Sequence, residues 1–180
     1  MATEILSVTD AELLRMPRDG RKYELVDGEI RVSPAGFRHG AVSVALTLKL
    51  GAFVLERRLG RVLDSSTGYR LPAGNVRCPD VSFVSASRLP AGELPAGFAE
   101  FLPDLAVEVL SPGDGQREVL DKVGEYLGGG VRLVWVIDPE TATAAVFRSL
   151  TDVCRVERDG RLDGGDVVPG FTCALGELLA

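Results

Sequence analysis

Leu105-Ala106-Val107-Glu108-Val109-Leu110 leads through a helix-forming stretch from Asp114 to Leu127 into Val131-Arg132-Leu133-Val134-Trp135-Val136-Ile137-Asp138. Apolar, β-branched runs of this length read as buried strands. Strand, helix, strand in that order predicts a right-handed crossover between parallel strands. Upstream, Pro79-Asp80 opens another such run, Asp80-Val81-Ser82-Phe83-Val84. A charged side chain is costly to bury without a partner, so Asp80 and Glu108, each set in apolar sequence, are the first candidates for function.

The remaining elements follow from local signals. Thr9-Asp10-Ala11-Glu12 is a capping box for a short helix that Pro17 stops. Tyr23 to Val26 and Glu29 to Ser33 flank Asp27-Gly28, a preferred two-residue hairpin turn. A buried amphipathic helix is expected from about Arg38 to Arg58, with Gly60 as its C-cap. Two strands, Val62 to Leu71 and Val76 to Ser85, are expected to meet at Ala73-Gly74-Asn75, followed by a surface loop from Ala86 to Pro103. After Asp138-Pro139 come strands at Ala142 to Arg148 and Val153 to Arg158, then a helix near Ala174 to Leu179. The class is α/β with a mixed sheet flanked by helices, a hairpin before it and strands after it, in a single domain over residues 1–180.

Neighbouring strands lie about 4.8 Å apart, so Asp80 and Glu108 on one face can share an ion. A hard divalent cation such as Mg²⁺ is typically held by one or two carboxylates with several waters. It polarises a phosphate and acidifies water, while a lysine beside it, here Lys122, stabilises developing charge. That set suits phosphodiester hydrolysis. Glu108 could equally be paired with an arginine, and Lys122 with Glu118 or Glu125 on its own helix.

Several segments in order carry a resemblance: Tyr23-Glu24-Leu25-Val26-Asp27-Gly28-Glu29, Arg38-His39, Pro79-Asp80-Val81, Pro103-Asp104-Leu105, Val107-Glu108-Val109-Leu110-Ser111-Pro112, Lys122 with Tyr126, Trp135-Val136-Ile137-Asp138-Pro139 and Pro169-Gly170-Phe171. Over nearly its whole length the chain resembles the Uma-type family of restriction endonuclease-like proteins, a branch of the PD-(D/E)XK nucleases. The resemblance implies a metal-dependent nuclease in which Asp80 and Glu108 bind Mg²⁺ or Mn²⁺ and Glu24 completes the acidic cluster. Superfamily members commonly carry a lysine two residues after the second carboxylate. Leu110 stands there in this chain, and the resemblance moves that role to Lys122. Gly113-Asp114-Gly115 also replaces the usual serine-rich turn.

With 180 residues and 46% hydrophobic content the chain can bury a proper core. Cys78, Cys154 and Cys173 lack C-x-x-C spacing and are odd in number, which points to a reducing cytoplasm rather than to disulfides or zinc. The N-terminus has no signal-peptide pattern. Gly40 to Leu55 is interrupted by Lys49 and short of a membrane span. The net charge of −6 disfavours nucleic acid, but residues 15–61 carry ten Lys/Arg against five Asp/Glu. His39, the only histidine, cannot build a histidine-rich metal site and reads as a surface residue, or as a base or phosphate contact at a helix start. Trp135 is a core residue.

Two functions remain: a DNA endonuclease, or a catalytically inactive module of the same fold that binds nucleic acid or protein. A two-fold homodimer is expected, since both strands of a duplex need cutting. Its suspected surfaces are the Ala142 to Arg158 edge and the Ala86 to Pro103 loop.

Overall fold

The computed structural model describes residues 9–17, 19, 21–33, 36–90 and 94–180. Strand β1 (Lys22–Val26) and strand β2 (Glu29–Ser33) form the expected hairpin, with Asp27 and Gly28 at φ 52° and 80° in its turn. Both values are positive, as a type I′ turn requires. Before it, helix α1 (Asp10–Leu13) carries the reciprocal cap in which Thr9 N–H donates to Glu12 and Glu12 N–H to Thr9 Oγ1, but it ends at Leu13, four residues before Pro17.

Helix α2 (Phe37–Arg57) is followed by Arg58 in the left-handed conformation, φ 54°, so the cap lies two residues before Gly60. Gly60 instead permits a close backbone approach. A Cβ there would sit 2.0 Å from the Val84 carbonyl oxygen, and the chain could not enter the sheet so closely. The two long strands expected next are each split in two. Strands β3 (Gly60–Asp64) and β6 (Val81–Ser85) pair in the large sheet, whereas β4 (Tyr69–Arg70) and β5 (Val76–Arg77) join the hairpin sheet. Pro79 has no N–H to continue a ladder, and Thr67 N–H turns back onto the Asp64 carbonyl, so both chains change sheet at these points. The expected loop opens with a 3₁₀ turn, Ala86–Arg88, and part of it lies outside the described residues. Its second half is no free loop: Ala99 and Leu102 are buried, and Ala99 bridges Tyr69.

Strand β7 (Leu105–Val109), helix α3 (Gln116–Gly128) and strand β8 (Leu133–Asp138) are the predicted crossover, with β7 and β8 parallel. Strands β9 (Thr143–Phe147) and β10 (Val153–Val156) extend the sheet to the order β10-β9-β8-β7-β6-β3. The second sheet runs β2-β1-β5-β4. A small pair, β11 (Arg161–Asp163) and β12 (Thr172–Ala174), has no counterpart in the sequence reading, and helix α4 (Leu175–Leu178) closes the chain.

Alternation along β7 divides the core. Leu105, Val107 and Val109 face α2, whose Val42, Leu46, Leu50 and Val54 complete that layer with Trp135 and the C-terminal Phe171 and Leu175. Ala106 faces α3, against Val123 and Tyr126. Glu108 follows the same parity and meets α3. On the other sheet, Tyr23 and Leu25 pack under α1, which leaves Lys22 and Glu24 on the opposite face, turned toward Asp80 and α3.

Candidate active site

Three carboxylates converge between the hairpin, the ends of β6 and β7, and α3. Asp80, Glu24 and Glu108 are all buried. Asp80 stands just before β6, where its own N–H bonds the Val107 carbonyl. Its Oδ1 accepts from Lys22 Nζ at 2.9 Å, and its Oδ2 accepts from the Val109 N–H at 2.8 Å and lies 3.0 Å from His39 Nε2. Glu108 accepts from the Tyr126 hydroxyl at 2.7 Å and from Lys122 Nζ at 3.3 Å. Glu24 accepts from the Cys78 N–H at 2.8 Å and the Arg77 guanidinium at 3.3 Å, with Lys122 Nζ 3.5 Å away. Arg77 in turn is held by Glu125 at 2.7 and 2.9 Å, and Asn75 ties Glu125 to the Asp27 N–H of the hairpin turn.

The charges do not cancel evenly. Burial opposes ionisation of Asp80, yet the His39 hydrogen bond, the Lys22 charge and the Val109 N–H outweigh it and hold the carboxyl well below its usual range. Burial also dominates at Glu108; there Lys22 and Lys122 oppose it, but the charges of Asp80 and Glu24 add to it, and the carboxyl is pushed up. Glu24 is lowered against burial by Lys122, Lys22, the Cys78 N–H and Arg77. Burial disfavours both ammoniums, but Lys22 is raised by Glu108, Asp80 and Glu24 together, and Lys122 by Glu108 and Glu24. Lys22 is thus a cation placed within reach of all three carboxylates. Burial and the nearby Glu24 push the Cys78 thiol up to about 12, so it is no thiolate ligand at neutral pH.

Among the described residues no three His, Cys, Asp or Glu side chains form a ready-made metal cage. The donors suit a hard cation in the sparser way, through two carboxylates with the remaining positions left to water. A carboxylate offers about four acceptor positions. Two hydrogen bonds occupy Glu108, and three partners surround Asp80. Both retain capacity, and Lys22 already shows that the place attracts positive charge.

All four residues singled out from sequence, Glu24, Asp80, Glu108 and Lys122, meet here. Lys122 is no partner of Glu118 or Glu125: Glu118 lies 3.7 Å from Arg31, and Glu125 holds Arg77. Glu108 has no arginine partner among the described residues. Two further members join them, one read from sequence chiefly as a surface residue and one not singled out at all. His39 is not a surface residue: its ring is largely buried against Asp80, and its Nδ1 is enclosed without a partner. Lys22 is the second, although its place two residues before Glu24 on one strand puts both side chains on one face. The basic N-terminal third reaches the acidic site through Lys22.

The family model described as "Uma2: Putative restriction endonuclease" matches residues 10–176. A crystal structure of a putative nuclease belonging to DUF820 from Anabaena variabilis superposes with a TM-score of 0.83 at 24% identity, covering 96% of this chain and 97% of that one, and shows the same fold. A chain in the cryo-EM structure of a DrdV–DNA complex gives a TM-score of 0.43 at 19% identity over 81% of this chain and 12% of that one, too low to carry an inference. No curated protein matches.

Proposed function

The chain belongs to the Uma2 family of putative restriction endonucleases, and from that premise we propose that it is a divalent-metal-dependent endonuclease that hydrolyses DNA phosphodiester bonds as a homodimer. The observation that carries this reading is the meeting of Glu24, Asp80, Glu108 and Lys122, contributed by strands β1 and β7, the residue before β6, and helix α3.

Asp80 and Glu108 would hold Mg²⁺ or Mn²⁺. Bound there, the cation supplies Lewis acidity toward the phosphate and makes water easier to deprotonate. The chain does the rest. His39 and the Val109 N–H fix the Asp80 carboxylate in one orientation, and the Tyr126 hydroxyl does the same for Glu108. Lys122, 3.3 Å from Glu108 on the α3 side, is the group placed to orient the attacking water or to stabilise charge growing on the phosphate oxygens. Leu110, the residue after β7, stands where a lysine is common, packed against the α3 layer. Arg77 holds Glu24 against Glu125 and joins hairpin to helix, which fixes the spacing of the two halves.

Supercoiled plasmid incubated with Mn²⁺ or Mg²⁺ should be nicked by the wild type and not by Asp80→Asn or Glu108→Gln. In calorimetric titration Asp80→Asn should lose metal affinity. Intact plasmid with every divalent cation would replace this reading with that of an inactive module.

A further inference from the structure

Helix α2 is buried on one side only. At 100° per residue, Val42, Leu46, Leu50 and Val54 form the core face, and Phe37, Val44, Leu48 and Leu55 fall within about 40° of one another on the opposite side. These four are 96%, 59%, 68% and 63% exposed. The sequence reading of a buried helix is therefore half right. Among the described residues nothing packs on this apolar stripe, and such a stripe marks a contact surface.

We propose that this stripe is the two-fold interface of a homodimer, in which α2 packs antiparallel against α2 of a second copy. The argument is self-complementarity. About a point near Leu46, Val44 mirrors Leu48, Ala41 mirrors Ala52 and Phe37 mirrors Leu55, so a two-fold axis sets the large side chains of one copy beside large ones of the other and lets the helices approach where alanine meets alanine. Ala41 and Ala52 are exposed, and a Cβ added at Gly40 or Gly51 would meet nothing within 4 Å. The charges obey the same symmetry. Arg38 and Glu56 lie on one flank of the stripe, at opposite ends, and antiparallel packing brings each beside the other in the second copy. Arg38 has no ion pair of its own among the described residues, and Glu56 is met only by the adjacent Arg57. A lipid surface fits less well. The helix is long and apolar enough by composition to cross a membrane, but its core face is already packed, and the flank of the stripe carries an acid, Glu56, as well as a base, Arg38.

A standard interface buries roughly 800 Å² per partner and area alone does not set affinity, so association is sought across the micromolar range. The interface places the two His39 residues about 21 Å apart along the helix direction, less than the ~34 Å turn of a duplex. This deepens the dimeric nuclease reading and rests on it only for the symmetry.

Sedimentation velocity of the full chain from about 1 to 100 µM should show a monomer–dimer equilibrium. Leu48→Glu should raise its midpoint concentration at least tenfold with an unchanged thermal midpoint at concentrations where both proteins are monomeric, and Val153→Lys on the β10 edge should leave it unmoved. Arg38→Glu should weaken the dimer, and Arg38→Glu with Glu56→Arg should restore it. A monomer at 100 µM, a dimer indifferent to Leu48→Glu, no rescue by the charge swap, or Leu48-dependent flotation with anionic vesicles instead of self-association would each overturn the proposal. Plasmid assays on the same variants separate the two readings. A Leu48→Glu monomer that still nicks leaves the nuclease standing, and a dimer without cleavage leaves the interface standing.

Discussion

Replacing Lys22 with methionine keeps most of the aliphatic stem and deletes the charge that lies 2.9 Å from Asp80. Both side chains are largely enclosed, at 14% and 3% exposure. Breaking a buried ion pair by removing one partner costs about 3–5 kcal/mol. Asp80 keeps the Val109 N–H and His39, so the lower end, about 3 kcal/mol, applies. For a chain of this length each kcal/mol moves the thermal midpoint by roughly 2–4 °C, which gives a loss of about 6–12 °C without metal. Millimolar Mn²⁺ should recover much of it. With Lys22 gone the cation meets less repulsion, and a tenfold gain in affinity adds about 1.4 kcal/mol at saturation. The metal-induced rise should therefore be about 3–6 °C larger in Lys22→Met than in the wild type. The sign with pH is settled by the raised pKa: the lysine's contribution is complete below its ordinary value near 10.4 and is lost only as pH climbs through the higher folded value. Measurements between pH 6 and 9 should agree. Equal midpoints without metal, or equal metal-induced rises, would refute the view of Lys22 as a resident counter-cation.

Lys122→Ala should abolish Mn²⁺-dependent nicking while calorimetry finds metal affinity at least as high as the wild type's, because the group removed is a cation beside Glu108 and Glu24; nicking that survives would place the reacting lysine elsewhere. Glu108 is raised by burial, so its contribution to stability falls as pH rises from the ordinary value near 4.3 through its folded pKa. Glu108→Gln should accordingly gain on the wild type, without metal, between pH 5 and 8, and a constant difference in midpoint over that range would show an unperturbed carboxyl. Arg77→Met strips a buried guanidinium from Glu24 and Glu125 and should cost about 3–5 kcal/mol, read as a fall in the urea midpoint; a loss under 1 kcal/mol would mean that the network holds nothing together.

Where local chemistry dictates the backbone, the sequence was enough. The Asp27-Gly28 turn, the Thr9 cap and the parallel pair around α3 need only nearby residues, and they stand as read. The strand breaks did not declare themselves, because Val62 to Leu71 and Val76 to Ser85 are apolar enough for continuous strands. What divides them is the competing claim of the hairpin sheet on Arg70 and Val76, a long-range pairing that no local pattern carries. The β11–β12 pair is short, and its Leu162 and Cys173 gain their burial from a core built by distant parts of the chain.

The site divides along the same line. Asp80 and Glu108 could be found because a lone carboxylate in an apolar strand announces a partner, and Lys122 because the family resemblance moves the displaced lysine to the helix after β7. Lys22 gave no such sign, and His39 only a weak one: a lysine at the start of a hairpin and a histidine in the first turn of a helix read first as surface residues until the hairpin and α2 are laid against the end of β6. Their roles follow from electrostatics rather than chain position. Three buried carboxylates need compensating charge near them, and the chain supplies it from wherever the backbone comes close enough. With Leu110 apolar, one ammonium comes from α3, 3.3 Å from Glu108, and another from β1, 2.9 Å from Asp80. A lysine absent from its customary strand position is therefore no sign of decay by itself. What matters in such a chain is which other cations share a strand face or a helix turn with its carboxylates, and here period two from Glu24 leads straight to Lys22.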